Sequence, residues 1–248
     1  MKEQMHIAAQ YLAAAGISFL AKKDDDSHTN LGFDTESGCL GTHILSKNND
    51  QLLLNYESFS LIWKSNTTKV SFTLHDRTHQ EVIEWIKETS QSLLKKEYSY
   101  KLHYDLPYTI NDSYTFALTN SSELKALMHL RILTQFSLEE VTQLYGLDTS
   151  IRVWPHHFDT GIYSNWPDSN ISIGLGLAIP DSVSDEHYLY ASGYNSDGQL
   201  ATKGFEKLTK GYWSNEGYIG AVLSANKLEK DEAITFFKEA VHQFKNYK

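Results

Sequence analysis

Residues 152–161, RVWPHHFDTG, hold the densest chemistry in the chain. Two adjacent histidines stand between a Trp-Pro and a Phe-Asp. If the stretch is a strand, alternate residues share a face. Trp154, His156 and Phe158 then point one way, and Val153, His157 and Asp159 the other. A histidine and a carboxylate two apart on one face can share a cation, or the Asp can orient the His as a general base. Pro155 cannot donate to a ladder and implies an edge or a bulge, which would break the alternation.

Such a site needs a third group. His187, next to Glu186 in SDEHYLY, is the first choice; His28 and Glu216 (in GYWSNEGYIG) are others. Three nitrogen or oxygen ligands with an open position suit Zn, Fe or Mn. His157, Asp159 and His187 are therefore the candidate ligands of a divalent metal, and His157, Asp159 and Glu216 the candidates for catalysis. The plain alternative is structural: one His packs and bonds a backbone carbonyl, while Asp159 bonds N–H groups at a turn.

Tyr188, Tyr190, Tyr194, Tyr212, Trp213 and Tyr218 crowd the same half. Aromatic faces with hydroxyl tips suit a polar organic ligand or a partner protein, but Tyr and Trp are also ordinary strand residues. The leading expectation is a small-molecule-binding protein, with enzymatic activity left open. Its pocket would be lined by Trp154, His156, His157, Asp159, Tyr188, Tyr190 and Glu216. The alternatives are a metal-dependent hydrolase or oxygenase, and an interaction scaffold using Tyr212 and Trp213. GLG at 174–176 lacks the third glycine and following helix of a dinucleotide loop, and marks a strand approached closely by another backbone. No GxSxG, HExxH or P-loop motif occurs.

The elements that must carry these residues come in two similar sets. EVIEWIKETSQSLL (81–94) lies over EAITFFKEAVHQFK (232–245) without a gap, and both have helical apolar spacing. Upstream, in the same order, LGFDT (31–35) resembles HHFDT (156–160), CLGTHIL (39–45) resembles SIGLGLAIP (172–180), and DQLLLNYESFS (50–60) resembles DEHYLYASGYN (185–195). This predicts an α+β fold of two similar halves, each a leading helix, three or four antiparallel strands and a closing helix, related by internal duplication. The halves are residues 1–100 and 121–248, joined by a turn-rich connector at 101–120. The first helix is read as amphipathic and ending near Gly16, with Ile7, Tyr11, Leu12 and Ala15 on one face. Two helices open the second half, with capping-box spacings at Asn120/Glu123 and Ser137/Glu140 and a stop at Gly146. Residues 202–217 are read as an insertion.

The 248 residues can bury a full core without disulfides or metals. Net charge is −9, which argues against nucleic acid and anionic membrane surfaces as partners. Cys39 is the only cysteine, so no intrachain disulfide or Cys-rich zinc site is available. The Ala-rich start is interrupted by Glu3, Gln4, His6 and Gln10 and does not read as a signal peptide. No stretch has the length and apolarity of a membrane span, and a cytoplasmic location is expected.

Four blocks, HTNLGFDTESGCLGTHIL (28–45), RVWPHHFDTG (152–161), ISIGLGLAIPDSVSDEHYLYASGY (171–194) and GYWSNEGYIGAVLSA (211–225), together resemble an uncharacterised bacterial family, a domain of unknown function with a WPHHFD motif and a WxxEG turn. The resemblance runs from about residue 28 to 245. It implies shared polar positions at Asn30, Asp34, His156, His157, Asp159, Tyr188, Tyr190 and Glu216, and it implies no activity. Phe33 stands where the family pattern has Trp, and Ser214 where it has His.

Overall fold

The computed structural model describes residues 1–166 and 169–247, which form two compact units. The first is Met1–His129 with Val153–Phe158; the second is Leu130–Arg152 with the chain from Asp159 onward. The architecture is α+β, with antiparallel sheets of five and seven strands. The chain enters the second unit within one long helix, returns to the first for the His-His stretch, and leaves again at Asp159.

The first unit opens with α1 (Lys2–Phe19), which packs across β3. Five strands follow as an antiparallel meander in the order β1 (Gly32–Asp34), β2 (Cys39–Gly41), β3 (Gln51–Asn55), β4 (Ser60–Lys64) and β5 (Lys69–Thr73). Leu40, Leu52, Leu54, Leu61 and Trp63 share its buried face. α2 (His79–Leu94) closes the unit, started by a capping box in which Thr78 and Glu81 satisfy each other's backbone N–H. α1 is not amphipathic as expected: Met5 to Gly16 are buried on every side. Its Ala and Gly residues let neighbours approach from all directions; a Cβ on Gly16 would lie 2.6 Å from the His28 carbonyl oxygen. Two polar side chains, His6 and Gln10, are buried with the rest. The connector is irregular but pinned: Thr78 bridges Thr115, and Phe116 is fully buried.

A single helix, α3 (Ser121–Tyr145), replaces the two expected at the start of the second half. Ser137 caps nothing; its hydroxyl donates back to the Leu133 carbonyl at 2.7 Å, as Thr134 does to Leu130 at 2.8 Å, so the helix runs on. Gly146 ends it at φ +63, as expected. The sheet runs β11 (Tyr212–Glu216), β12 (Tyr218–Ser224), β9 (Tyr188–Asn195), β8 (Ser172–Ala178), β7 (Asp159–Asn165), with β6 (Arg152–Trp154) at the edge and β10 (Gly198–Gln199) on β9. Ile162, Leu175, Leu189, Ala221 and Leu223 share one core with Leu138 and Val141 of α3. Phe237, Val241 and Phe244 of α4 (Lys230–Lys245) complete it. Phe244 sits where a Cβ on Gly193 would be.

Both units therefore follow the order helix, antiparallel sheet, helix, but only the first sheet is a simple meander; in the second, β12 returns between β9 and β11. The matching sequence blocks, however, fall one strand out of step. Blocks 31–35, 39–45 and 50–60 fall on β1, β2 and β3 and their counterparts on β7, β8 and β9, so β6 is extra in the second sheet, and the shared order does not by itself establish a duplication. Among the described residues, no helix is long and apolar enough to cross a membrane.

Candidate functional site

The His-His stretch is a turn, not a strand. β6 stops at Trp154 and β7 starts at Asp159. Pro155 has no N–H for a ladder, and Phe158 closes the turn at φ +59, its N–H donating to the Trp154 carbonyl at 2.7 Å. The left-handed backbone of a bulky residue costs about 1 kcal/mol or more, and α1 supplies the compensation. The Pro155 carbonyl accepts from His6 Nε2 at 2.8 Å and from Gln10 Nε2 at 2.9 Å. A carbonyl only accepts, so His6 carries its proton on Nε2. Phe158 stacks on the His6 ring at 5.0 Å with 4° between planes, and Tyr104 donates to Gln10 Oε1 at 2.7 Å. Leu31 and Val153 exchange both backbone hydrogen bonds at 2.9 Å.

The alternation that put His157 with Asp159 is therefore broken, and the two residues belong to different units. His157 is exposed on the turn; His156 is half-buried, 4.3 Å from the His157 ring and 5.6 Å from Tyr104, with Trp154 at 6.3 Å. His103 lies in the same unit, its Nε2 3.3 Å from Asp26 Oδ2, and the buried His28 ring is 6.5 Å from it. Burial, then the neighbouring His157 and His103, push His156 below the usual histidine range; burial does the same to His28. Both are neutral imidazoles at pH 7. Among the described residues, no three His, Cys, Asp or Glu side chains are grouped to hold a metal ion. The expected His157, Asp159 and His187 set is thus not assembled.

In the second unit the pairing registers sort the strand residues onto two faces. Gly161, Gly176, Tyr190, Val222 and Tyr212 form one row across five strands. Tyr163, Gly174 and Ser192 form the next, and Asn165, Ser172 and Tyr194 a third. Alternation along β7, β9, β11 and β12 adds Asp159, Tyr188, Ser214, Gly220, Tyr218 and Glu216 to this face. All six tyrosines of β7–β12 and both carboxylates thus share one face, opposite the helix-covered core. The glycines make room for the rings. A Cβ on Gly161 or Gly176 would fall 2.6 Å from the Tyr190 hydroxyl, so that ring lies flat across both. A Cβ on Gly220 would meet Tyr218 at 2.7 Å.

Tyr190 donates to Asp159 Oδ2 at 2.8 Å, and Tyr188 to Asp181 Oδ2 at 2.9 Å. Burial, then those carboxylates, drive both phenols well above the ordinary tyrosine range. They are fixed neutral donors rather than acids or bases near pH 7. On the far side of β7, the buried guanidinium of Arg131 donates to Thr160 Oγ1 at 2.5 Å.

Of the expected pocket, the structure joins Asp159, Tyr188 and Tyr190 in the second unit, and Trp154, His156 and His157 in the first. Glu216 is at the exposed tip of the β11–β12 hairpin, on the tyrosine face but opposite Tyr218 rather than beside Asp159. Trp213 serves the core: its ring packs on Phe205 and Phe244 and its Nε1 donates to the Glu206 carbonyl at 2.8 Å. Of the pair expected on a scaffold surface, Tyr212 is exposed and Trp213 is partly buried against the core. Sequence reasoning missed Tyr163, Gly161 and Gly220, while the close backbone approach read from GLG is found at Gly176, where a Cβ would lie 2.3 Å from the Thr160 carbonyl oxygen. The period-two spacing in GIYSN, SIGLGLA and YLYASGY was the signal available. Compared with family models, curated proteins and solved structures, the chain finds no match in any of the three.

Proposed function

We propose that the protein binds a small polar organic ligand on the tyrosine-lined face of the second sheet, with Asp159 as the fixed carboxylate and Tyr188 and Tyr190 as its aromatic wall. One observation supports this reading above the others: six tyrosines and two carboxylates lie on one face, over glycines that let the rings lie flat. Strand glycines weaken a sheet by roughly 0.5–1 kcal/mol each, so a face that spends four of them is shaped for something besides stability. Tyr163 and Tyr212, 58% and 53% exposed, give the face solvent-reachable edges. The His156/His157 turn takes a structural part in this reading, since its Pro155 carbonyl is clamped by α1. A cytoplasmic setting agrees with the lone Cys39.

The test is a thermal-shift screen of a metabolite panel covering neutral, anionic and cationic compounds. A ligand should raise the melting temperature of the wild type, and the rise should be lost in Asp159→Asn and reduced in Tyr163→Leu. A panel with no stabilising compound, or a shift unchanged in both variants, refutes the assignment.

A further inference from the structure

We infer that a cleft on the helical side of the second unit binds a free α-amino acid as its zwitterion. The cleft is separate from the tyrosine face and does not rest on the reading above. It measures about 320 Å³ and lies between α4, the end of α3 and a strap of residues 205–209 that joins β10 to β11. That volume is at the small end of the range for small-molecule sites, roughly 300–1,000 Å³. The strap is anchored on both sides of the cleft. Phe205 packs on Trp213 and Phe244, and Leu208 is buried in the core. Glu239 of α4 accepts from the Thr209 N–H at 2.8 Å and from the Thr209 hydroxyl. Between these anchors the Glu206 N–H donates to Gln243 Oε1 at 3.2 Å, and the Glu206 carbonyl accepts from Trp213 Nε1 at 2.8 Å. The backbone that carries Glu206 and Lys207 is thus set in advance, which lowers the ordering cost of binding.

The charges of the lining balance, Lys207 and Lys238 against Glu206 and Glu239. Two of the four are engaged. Glu239 gives both oxygens to Thr209, and Lys238 Nζ lies 3.8 Å from Glu140 Oε1. The other two, the exposed Glu206 carboxylate and Lys207 ammonium, make no hydrogen bond or ion pair with any described residue. The remaining ionisable side chains of the lining add no charge. His242 accepts through Nε2 from Asn246 Nδ2 at 3.2 Å, as a neutral imidazole does, and Tyr145 donates its hydroxyl to the Lys238 carbonyl at 3.2 Å. A ligand with a single charge would pair with one of the two free groups and cover the other, whose lost hydration nothing would replace. A zwitterion answers both, its ammonium to Glu206 and its carboxylate to Lys207, with Gln243 Nε2 as a further donor. Glu206 and Lys207 are adjacent in the chain and line the same small cleft, so the ligand's two charges must be close together, as they are across the α-carbon of an amino acid. Leu208 and the Tyr145 ring supply the apolar part of the wall.

Isothermal titration of the full chain with L-alanine, L-leucine and L-glutamine tests this. Each is run beside its N-acetyl derivative, which keeps only the negative charge, and its α-carboxamide, which keeps only the positive one. At least one of the amino acids should bind, and both of its derivatives should bind about tenfold more weakly or worse. Glu206→Gln and Lys207→Gln should each weaken it about tenfold at an unchanged melting temperature, because both side chains are exposed. Asp159→Asn should leave it unchanged. Failure of all the amino acids overturns the inference, as does a derivative that binds as tightly as its parent. Binding that survives both strap variants also overturns it. So does binding lost in Asp159→Asn instead, which would assign the amino acid to the tyrosine face and leave the reading of that face standing.

Discussion

The two sheets present very different faces on the side away from their main cores. In the first, the face opposite Leu52, Leu54, Leu61 and Trp63 carries Gln51, Lys64 and Lys69 in one row, Leu53, Ile62 and Ser71 in the next, and Asn55, Ser60 and Thr73 in a third. This is a common β surface, with aliphatic cross-strand pairs and lysines near an edge. It has no tyrosine, one carboxylate, Asp34, and two glycines, Gly32 and Gly41, which face each other. The second sheet is likewise antiparallel and set between two helices, yet its corresponding face has six tyrosines, two carboxylates, four glycines and no lysine. An antiparallel sheet between two helices does not require that composition, since the first unit is built without it. The proposed ligand site would account for the difference.

The sharpest way to break this comparison is to give each sheet the same added methyl group. Gly176→Ala drives a Cβ into the Thr160 carbonyl and the Tyr190 ring, and should destabilise the second unit by about 2–3 kcal/mol. Gly41→Ala meets only the tip of the Leu53 side chain, at 2.8 Å, and should cost under about 1 kcal/mol. Urea denaturation reads both, and equal losses would mean that the glycines of the second sheet are nothing special. Tyr190→Phe comes next. It removes the donor to Asp159 and should cost about 1–3 kcal/mol, measured the same way; a neutral result would show that the phenol does not hold the carboxylate.

Acid should separate the units in a different manner. His28 and His156 have folded-state values below those of the unfolded chain, so their neutral forms stabilise the fold fully above about pH 6.5, and that contribution is lost as pH falls toward the lowered values. Hydrogen exchange at about pH 5.5, below the ordinary histidine range, should therefore rise over Trp154–Phe158 before it rises over β8 and β9, and His156→Gln should blunt the effect. Simultaneous loss of protection in both regions would contradict this. The smallest effect is expected for Tyr163→Leu and Tyr212→Leu, each within about 0.5 kcal/mol of wild type in stability. A larger loss would make these exposed rings structural.

Much of this is legible in the sequence where one local rule is enough. The closing helices are found at 79–94 and 230–245 because their apolar spacing faces one core each. The α+β class follows from the same patterning. The rest depends on non-local contacts. α1 looks amphipathic until Ala and Gly allow burial on all sides, and Ser137 looks like a cap until its hydroxyl bonds backward instead. The His-His stretch stands out for its chemistry, but the meaning of Pro155 depends on His6 and Gln10, about 145 residues earlier. Tyr188 and Tyr190 share a face because strand alternation is a local rule; that Asp159 joins them depends on the register across β8, and that the His pair folds into the other unit is not written in residue spacing.

The return of Val153–Phe158 to the first unit also bears on biosynthesis. Domains commonly fold in order as the chain leaves the ribosome. Here the first 129 residues can assemble their sheet, but the acceptor that satisfies the buried His6 and Gln10 arrives only when Pro155 has emerged. The N-terminal unit is thus completed late, by a segment made after the whole of α3. A gene split at the 129/130 boundary would give a first fragment lacking the Pro155 carbonyl that accepts from His6 and Gln10, and a second fragment carrying the segment that supplies it.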